Sequence, residues 1–204
     1  MTSLGELRDR DDGPVGDQFV HLYGVSWDDY ERVLQIRGDR SAPRIAYLEG
    51  TLEIMSPSRD HEGLESWIGC LVEVYCLHHG IEFQTYGSWT LKERKEERGV
   101  EPDECYVFGT AVPDRPHLAI EVIWTSGGID KLKIYRKLGV GEVWVWRRGA
   151  IKVYLLRGDA YQEADGSEAL AGIDLELLAS FLDRPTTSQA IRDYRAVLEA
   201  AARG

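Results

Sequence analysis

The alternation of apolar and polar positions along the chain predicts helices interleaved with short strands. Ser26 opens a helix, with Asp29 three residues on in a capping-box arrangement, Tyr30, Val33 and Leu34 as its apolar stripe, and Gly38 as its stop. Residues 44–55 read as two short strands around a Glu49-Gly50 turn, broken by Ser56-Pro57-Ser58. Over 60–79 the apolar positions Leu64, Ile68, Leu71, Val72 and Tyr75 recur at the helical period, and Gly80 ends the run. Strands are predicted over 82–91, 100–108 and 117–124, with the charged stretch 92–98 between the first two as a solvated loop. A short helix over 130–138 follows. Then come a hairpin of 143–146 and 151–155 turning over Arg147-Arg148-Gly149-Ala150, and helical patterns over 174–182 and 187–203. Residues 1–18, polar and rich in Asp and Gly, read as a mobile leader. Residues 19–204 show no repeat or linker and read as a single α+β domain.

Composition narrows the classes. A chain of 204 residues buries roughly 70% of its unfolded surface as one domain, enough to enclose a polar site. Six Trp, ten Tyr and four Phe need a core, which excludes a disordered protein. No apolar run is long enough to span a bilayer, and the first ten residues lack the apolar stretch of a signal peptide, so no membrane association is expected. Cys70, Cys76 and Cys105 are odd in number and lack metal-ligand spacing, which suits core thiols in a reducing cytoplasm. The net charge of −11 argues against an indiscriminate nucleic-acid binder. That charge is uneven, however. Residues 131–152 carry seven basic side chains against one acid, a local +6 that leaves −17 on the rest.

The candidate chemistry centres on Leu118-Ala119-Ile120-Glu121-Val122-Ile123-Trp124, six of whose seven residues are apolar. A strand of that composition is buried on both faces, and a carboxylate within it costs several kcal/mol unless it meets a cation or donors. Pro102 places Asp103 near a strand start or a bulge. An antiparallel turn centred on Val112 would set Asp103 opposite Glu121 on one face, whereas a shift of half a residue would separate them. On the following helix, Lys131, Ile134, Tyr135 and Leu138 share a face, so Lys131 alone of its four basic residues points inward. The bland alternative is a structural Glu121–Lys131 ion pair with Asp103 solvated. Two carboxylates and a lysine instead suit a Mg²⁺ site in which the metal activates water and neutralises charge on a phosphate.

Pro102-Asp103, Glu121-Val122 in an apolar strand, and Lys131-Leu132 with Tyr135 four residues after the lysine resemble the PD-(D/E)xK nuclease superfamily. Met55-Ser56-Pro57 with His61, the run Pro116-His117-Leu118-Ala119-Ile120-Glu121-Val122, and Gly139-Val140-Gly141-Glu142-Val143-Trp144 narrow the resemblance to the Uma-two-type restriction endonuclease family, over about residues 20–160. The resemblance implies a restriction endonuclease-like mixed β-sheet flanked by helices, with Asp103 and Glu121 binding Mg²⁺ (or Mn²⁺). The activity it implies is DNA phosphodiester hydrolysis, with Lys131 assisting the attacking water. A strict motif would put the lysine at position 123, which is Ile, so that function falls to Lys131; the Ser-Pro usual after the glutamate strand is Ser126-Gly127. The resemblance also suggests that the long helix lends His61 or Glu65 to the metal site. From the residues alone, these two read as a partly exposed His and a Glu at the rim of the stripe.

Several other features have simpler readings. Glu49 and Glu53 suit a solvent-facing hairpin, His78-His79 a favourable place at a helix C-terminus, and Gly127-Gly128 a weak phosphate approach. Trp144 and Trp146 alternate with valines and suit core packing better than a dimer interface. A homodimer would let two copies cut the two strands of a duplex. The competing function is a catalytically weak or inactive nuclease-fold protein that binds nucleic acid or a protein partner.

Overall fold

The computed structural model describes residues 16–87, 89–111 and 113–202. Apolar alternation assembles two sheets. The first is antiparallel, in the order β1-β3-β2-β6-β5, built from β1 (Gln18–Tyr23), β2 (Arg44–Leu48), β3 (Thr51–Ser56), β5 (Leu91–Glu93) and β6 (Arg98–Val100). The second is mixed, in the order β11-β10-β9-β8-β7-β4. It comprises β4 (Phe83–Thr85), β7 (Glu104–Phe108), β8 (Leu118–Val122), β9 (Glu142–Arg147), β10 (Ala150–Arg157) and β11 (Ala160–Ala164). Its single parallel pair, β8–β9, is joined by α3 (Lys131–Leu138), as a parallel crossover requires.

Helix α1 (Trp27–Arg37) is capped by Ser26, whose hydroxyl accepts from the Asp29 amide. It packs Trp27 and Tyr30 on Ile45, Tyr47 and Leu52 of the first sheet. Helix α2 (Arg59–His79), capped by Ser58 and stopped by left-handed Gly80, lies on the second sheet together with α4 (Leu175–Ala179) and α5 (Thr187–Ala201). Helix α3 sits between the sheets, with Ile134 and Tyr135 against Ala46, Val100, Ala119 and Val143. The tryptophans of β9 are core residues: Trp144 is fully buried and Trp146 nearly so. The three cysteines are free, and burial pushes the Cys76 and Cys105 thiols up to about 11 and about 12. Among the described residues no helix is long and apolar enough to cross a membrane.

Several sequence expectations change, among them the strand over 100–108, which divides between the end of β6 in the first sheet and β7 in the second. The strand over 82–91 is two strands, β4 and β5, in different sheets. The charged stretch after it is a hairpin around a tight turn at Arg94–Glu96, pairing onto β2 through β6 with Arg98 buried. Residues 16–18 belong to the fold rather than to a leader: Gln18 begins β1 and Asp17 is buried. The rest of that leader, residues 1–15, and Val112 at the expected turn centre lie outside the described residues.

Candidate active site

Asp103 follows Pro102 at the mouth of β7, and Glu121 is the fourth residue of β8. The register pairs Glu104 with Ile120 and Cys105 with Ala119, so Asp103 falls opposite Glu121 as the turn-centre argument requires. Lys131, at the first turn of α3, donates to Glu121 Oε2 at 2.5 Å and lies 3.8 Å from Asp103 Oδ1. Tyr135, one turn on, donates to Glu121 Oε1. The alternative in which Asp103 is solvated does not hold, since Asp103 is only 2% exposed and Glu121 4%.

Helix α2 faces Asp103 from the other side. His61 is buried, with Nδ1 3.0 Å from Asp17 Oδ2 and Nε2 3.1 Å from Asp103 Oδ2. Glu65, four residues on, is also buried, so neither side chain stands at the rim of the stripe. Between them enters Arg44, from the start of β2. It donates to Asp103 Oδ1 and, at 2.6 Å each, to both oxygens of Glu65. The amide of Val122 donates to Asp103 Oδ2 at 2.6 Å.

The protonation states follow from these contacts. Burial by itself would raise the Asp103 carboxyl, but Lys131, His61 and Arg44 hold it well below the usual carboxylate range. Burial raises Glu121 to about 7, Lys131 opposing the rise and Asp103 adding to it. Burial likewise raises Glu65 to about 7 against the pull of Arg44. For His61, burial acts downward, but its bonds to Asp103 and Asp17 leave it raised, consistent with an imidazolium that donates from both nitrogens. Lys131 stays an ammonium: Glu121 and Asp103 more than offset its desolvation.

For a divalent ion, the donor chemistry of Asp103 and Glu121 fits, since both offer hard carboxylate oxygens to the Lys131 ammonium. Every one of those oxygens accepts a proton donor in this arrangement, so an ion would take Glu121 in exchange for Lys131. His61, Glu65 and Asp103 also offer ligand atoms within 4.8 Å of one another, but the Arg44 guanidinium already pairs with both acids.

Glu121 and Lys131 line a cleft of about 680 Å³ between the two sheets, and Asp103 lies behind them, outside its lining. Its walls include Phe19 of β1, Val145 of β9 and Tyr154 of β10, and Arg147, Arg148 and Lys152 lie along one side. The basic segment seen in the sequence contributes only part of its charge here. Lys133 pairs with Asp130, and Arg136 and Lys137 with Asp159. The acidic hairpin reading also changes. Glu49 sits exposed in the left-handed turn, whereas Glu53 is buried on the cleft, 2.9 Å from His21 Nε2. Glu53 Oε2 accepts the Ile129 amide at 2.6 Å, so the Gly127-Gly128 loop is tied to a protein carboxylate. Arg44, Asp17 and Glu53 escape sequence reasoning because their partners are distant in the chain. The one local signal is a charged residue opening a strand that is buried on both faces.

A carboxylate pair fixed by strand register, with a lysine from the next helix, is thus set on the mixed sheet of an α+β fold. Residues 27–184 match the family model Uma2, described as "Putative restriction endonuclease", and the chain belongs to that family. A crystal structure described as a putative nuclease from Anabaena variabilis ATCC 29413 is similar at 13% identity and a TM-score of 0.48, covering 79% of this chain and 96% of that one. No curated protein matches the chain.

Proposed function

We propose that the protein is a Mg²⁺-dependent endonuclease that hydrolyses DNA phosphodiester bonds, with Mn²⁺ as an alternative ion. The observation that carries this reading is the convergence of Asp103 and Glu121 on Lys131, with Glu121 and Lys131 on the wall of a cleft that basic side chains also line. Asp103 and Glu121 would hold the ion. When bound, the ion supplies a more acidic water and neutralises charge on the phosphate. Lys131, protonated while it faces the two acids, acts as a donor: it orients the attacking water and adds positive potential where charge develops. Tyr135 fixes the Glu121 carboxylate, and Arg44 and His61 fix Asp103. His61 and Glu65 are supporting residues, whose acid and imidazolium charges balance Arg44 and Asp103.

The test is nicking of plasmid DNA with Mg²⁺ or Mn²⁺. Wild type should nick, and Glu121→Gln, nearly isosteric, should lose at least 10²-fold in rate. Equal nicking by the two proteins would remove Glu121 from the chemistry. The saturation of all four carboxylate oxygens supports a second reading, a nuclease-fold protein that binds without cutting. DNA binding by wild type without cleavage in either ion would favour it.

A further inference from the structure

Three observations bear on the form of substrate the cleft admits. First, Asp103 and Glu121 are recessed, both almost wholly buried, so a phosphate must enter the cleft to reach them. Second, cations lie on the same sheet face. The register sets Glu121 beside Val145 and Val145 beside Lys152, and Arg147 is two residues further along β9. At strand spacings of about 4.8 Å across and 3.3 Å along, the Lys152 and Arg147 backbones stand roughly 8–10 Å from that of Glu121. Lys152 reaches an exposed partner, Glu163, while among the described residues no carboxylate pairs with Arg147 or Arg148. Third, the lining includes the apolar and aromatic side chains Phe19, Val145 and Tyr154, beside the acids Glu53 and Asp130.

A ligand that presents phosphates and flat apolar faces together can use both the cations and the aromatic walls of this space. In a duplex the base faces are stacked inside and only the phosphates and base edges are outside. An unpaired strand exposes both together, and aromatic walls take its bases by stacking. A cleft of about 680 Å³ holds a nucleotide or two within it.

Resting on the nuclease reading above, we propose that the cleft takes unpaired DNA, with phosphates on Arg147 and Lys152 and bases against Tyr154 and Phe19. The site would then cut single strands, tails and flaps in preference to paired duplex.

The experiment gives the full-length protein, with Mn²⁺, one labelled sequence as a single strand, as a blunt duplex and as a duplex with a single-stranded tail. Cleavage of the single strand and the tail at least 10-fold faster than the duplex is expected. Arg147→Gln and Lys152→Gln, at exposed positions, should raise KM for the single strand and flatten its salt dependence. Tyr154→Leu should raise that KM about 5-fold or more with kcat little changed. Duplex cut as fast as the single strand would overturn the proposal and leave the nuclease reading standing. If nothing is cut, fluorescence anisotropy with the same oligonucleotides decides. Tighter binding of the single strand upholds the cleft's occupant while the hydrolytic reading falls, and equal or tighter binding of the duplex overturns it.

Discussion

Replacing Arg44 with Ala should cost about 3–5 kcal/mol of stability, the loss expected when one partner of a buried ion network is removed. The variant strands Glu65 and Asp103, both buried, beside one another. For a protein of this size the loss corresponds to a fall in Tm of roughly 10 °C. It should also depend on pH in a definite direction. Glu65 already has its carboxyl raised to about 7 by burial with Arg44 in place, and without Arg44 it rises further. A carboxyl whose folded pKa lies above its unfolded value penalises folding once it charges, so the penalty is absent below about 4.5 and grows as pH rises through 7. Arg44→Ala should therefore be closer to wild type at pH 5 than at pH 8. The double substitution Arg44→Met with Glu65→Leu should recover much of the loss. Thermal melts at the two pH values check this, and a deficit below 1 kcal/mol or one that grows toward acid would show that Arg44 does not compensate these acids.

Lys131→Met should lower turnover by about 10²–10³-fold, the loss expected for a donor aimed at developing charge. Its effect on metal affinity should run the other way. Lys131 occupies Glu121 Oε2 at 2.5 Å, so it competes with any ion for that oxygen, and its removal should tighten Mn²⁺ binding. A purely structural ion pair predicts a different pattern: lower stability, with activity per folded molecule unchanged. Single-turnover rates at saturating Mn²⁺ separate the two, and a loss of less than 10-fold would return Lys131 to a structural role.

The trio was legible in the sequence because each member leaves a local trace. Glu121 interrupts an apolar strand, Asp103 follows a proline, and Lys131 is the one basic residue on the apolar face of its helix. Their juxtaposition depended on the turn, and the observed register is the one that brings Asp103 and Glu121 together. Burial was less legible. His61 and Glu65 sit at positions that a helical pattern assigns to the edge of the stripe. Only the arrival of Arg44 from 17 residues upstream and Asp17 from 44 upstream encloses them. Arg44, Asp17 and Glu53 make their bonds across 59, 108 and 76 residues, to Asp103, Thr125 and Ile129, and no periodicity reports such contacts. Charge counting misled for a related reason: it finds cations along the chain but not the carboxylates, such as Asp159, that fold back onto them.

Whether Asp103 and Glu121 together hold a divalent ion is read by a calorimetric titration of Mn²⁺ into wild type, Glu121→Gln and Lys131→Met. A site present in wild type, lost in Glu121→Gln and tightened in Lys131→Met is the predicted result. Absence of binding in wild type, or binding that survives Glu121→Gln unchanged, would contradict it.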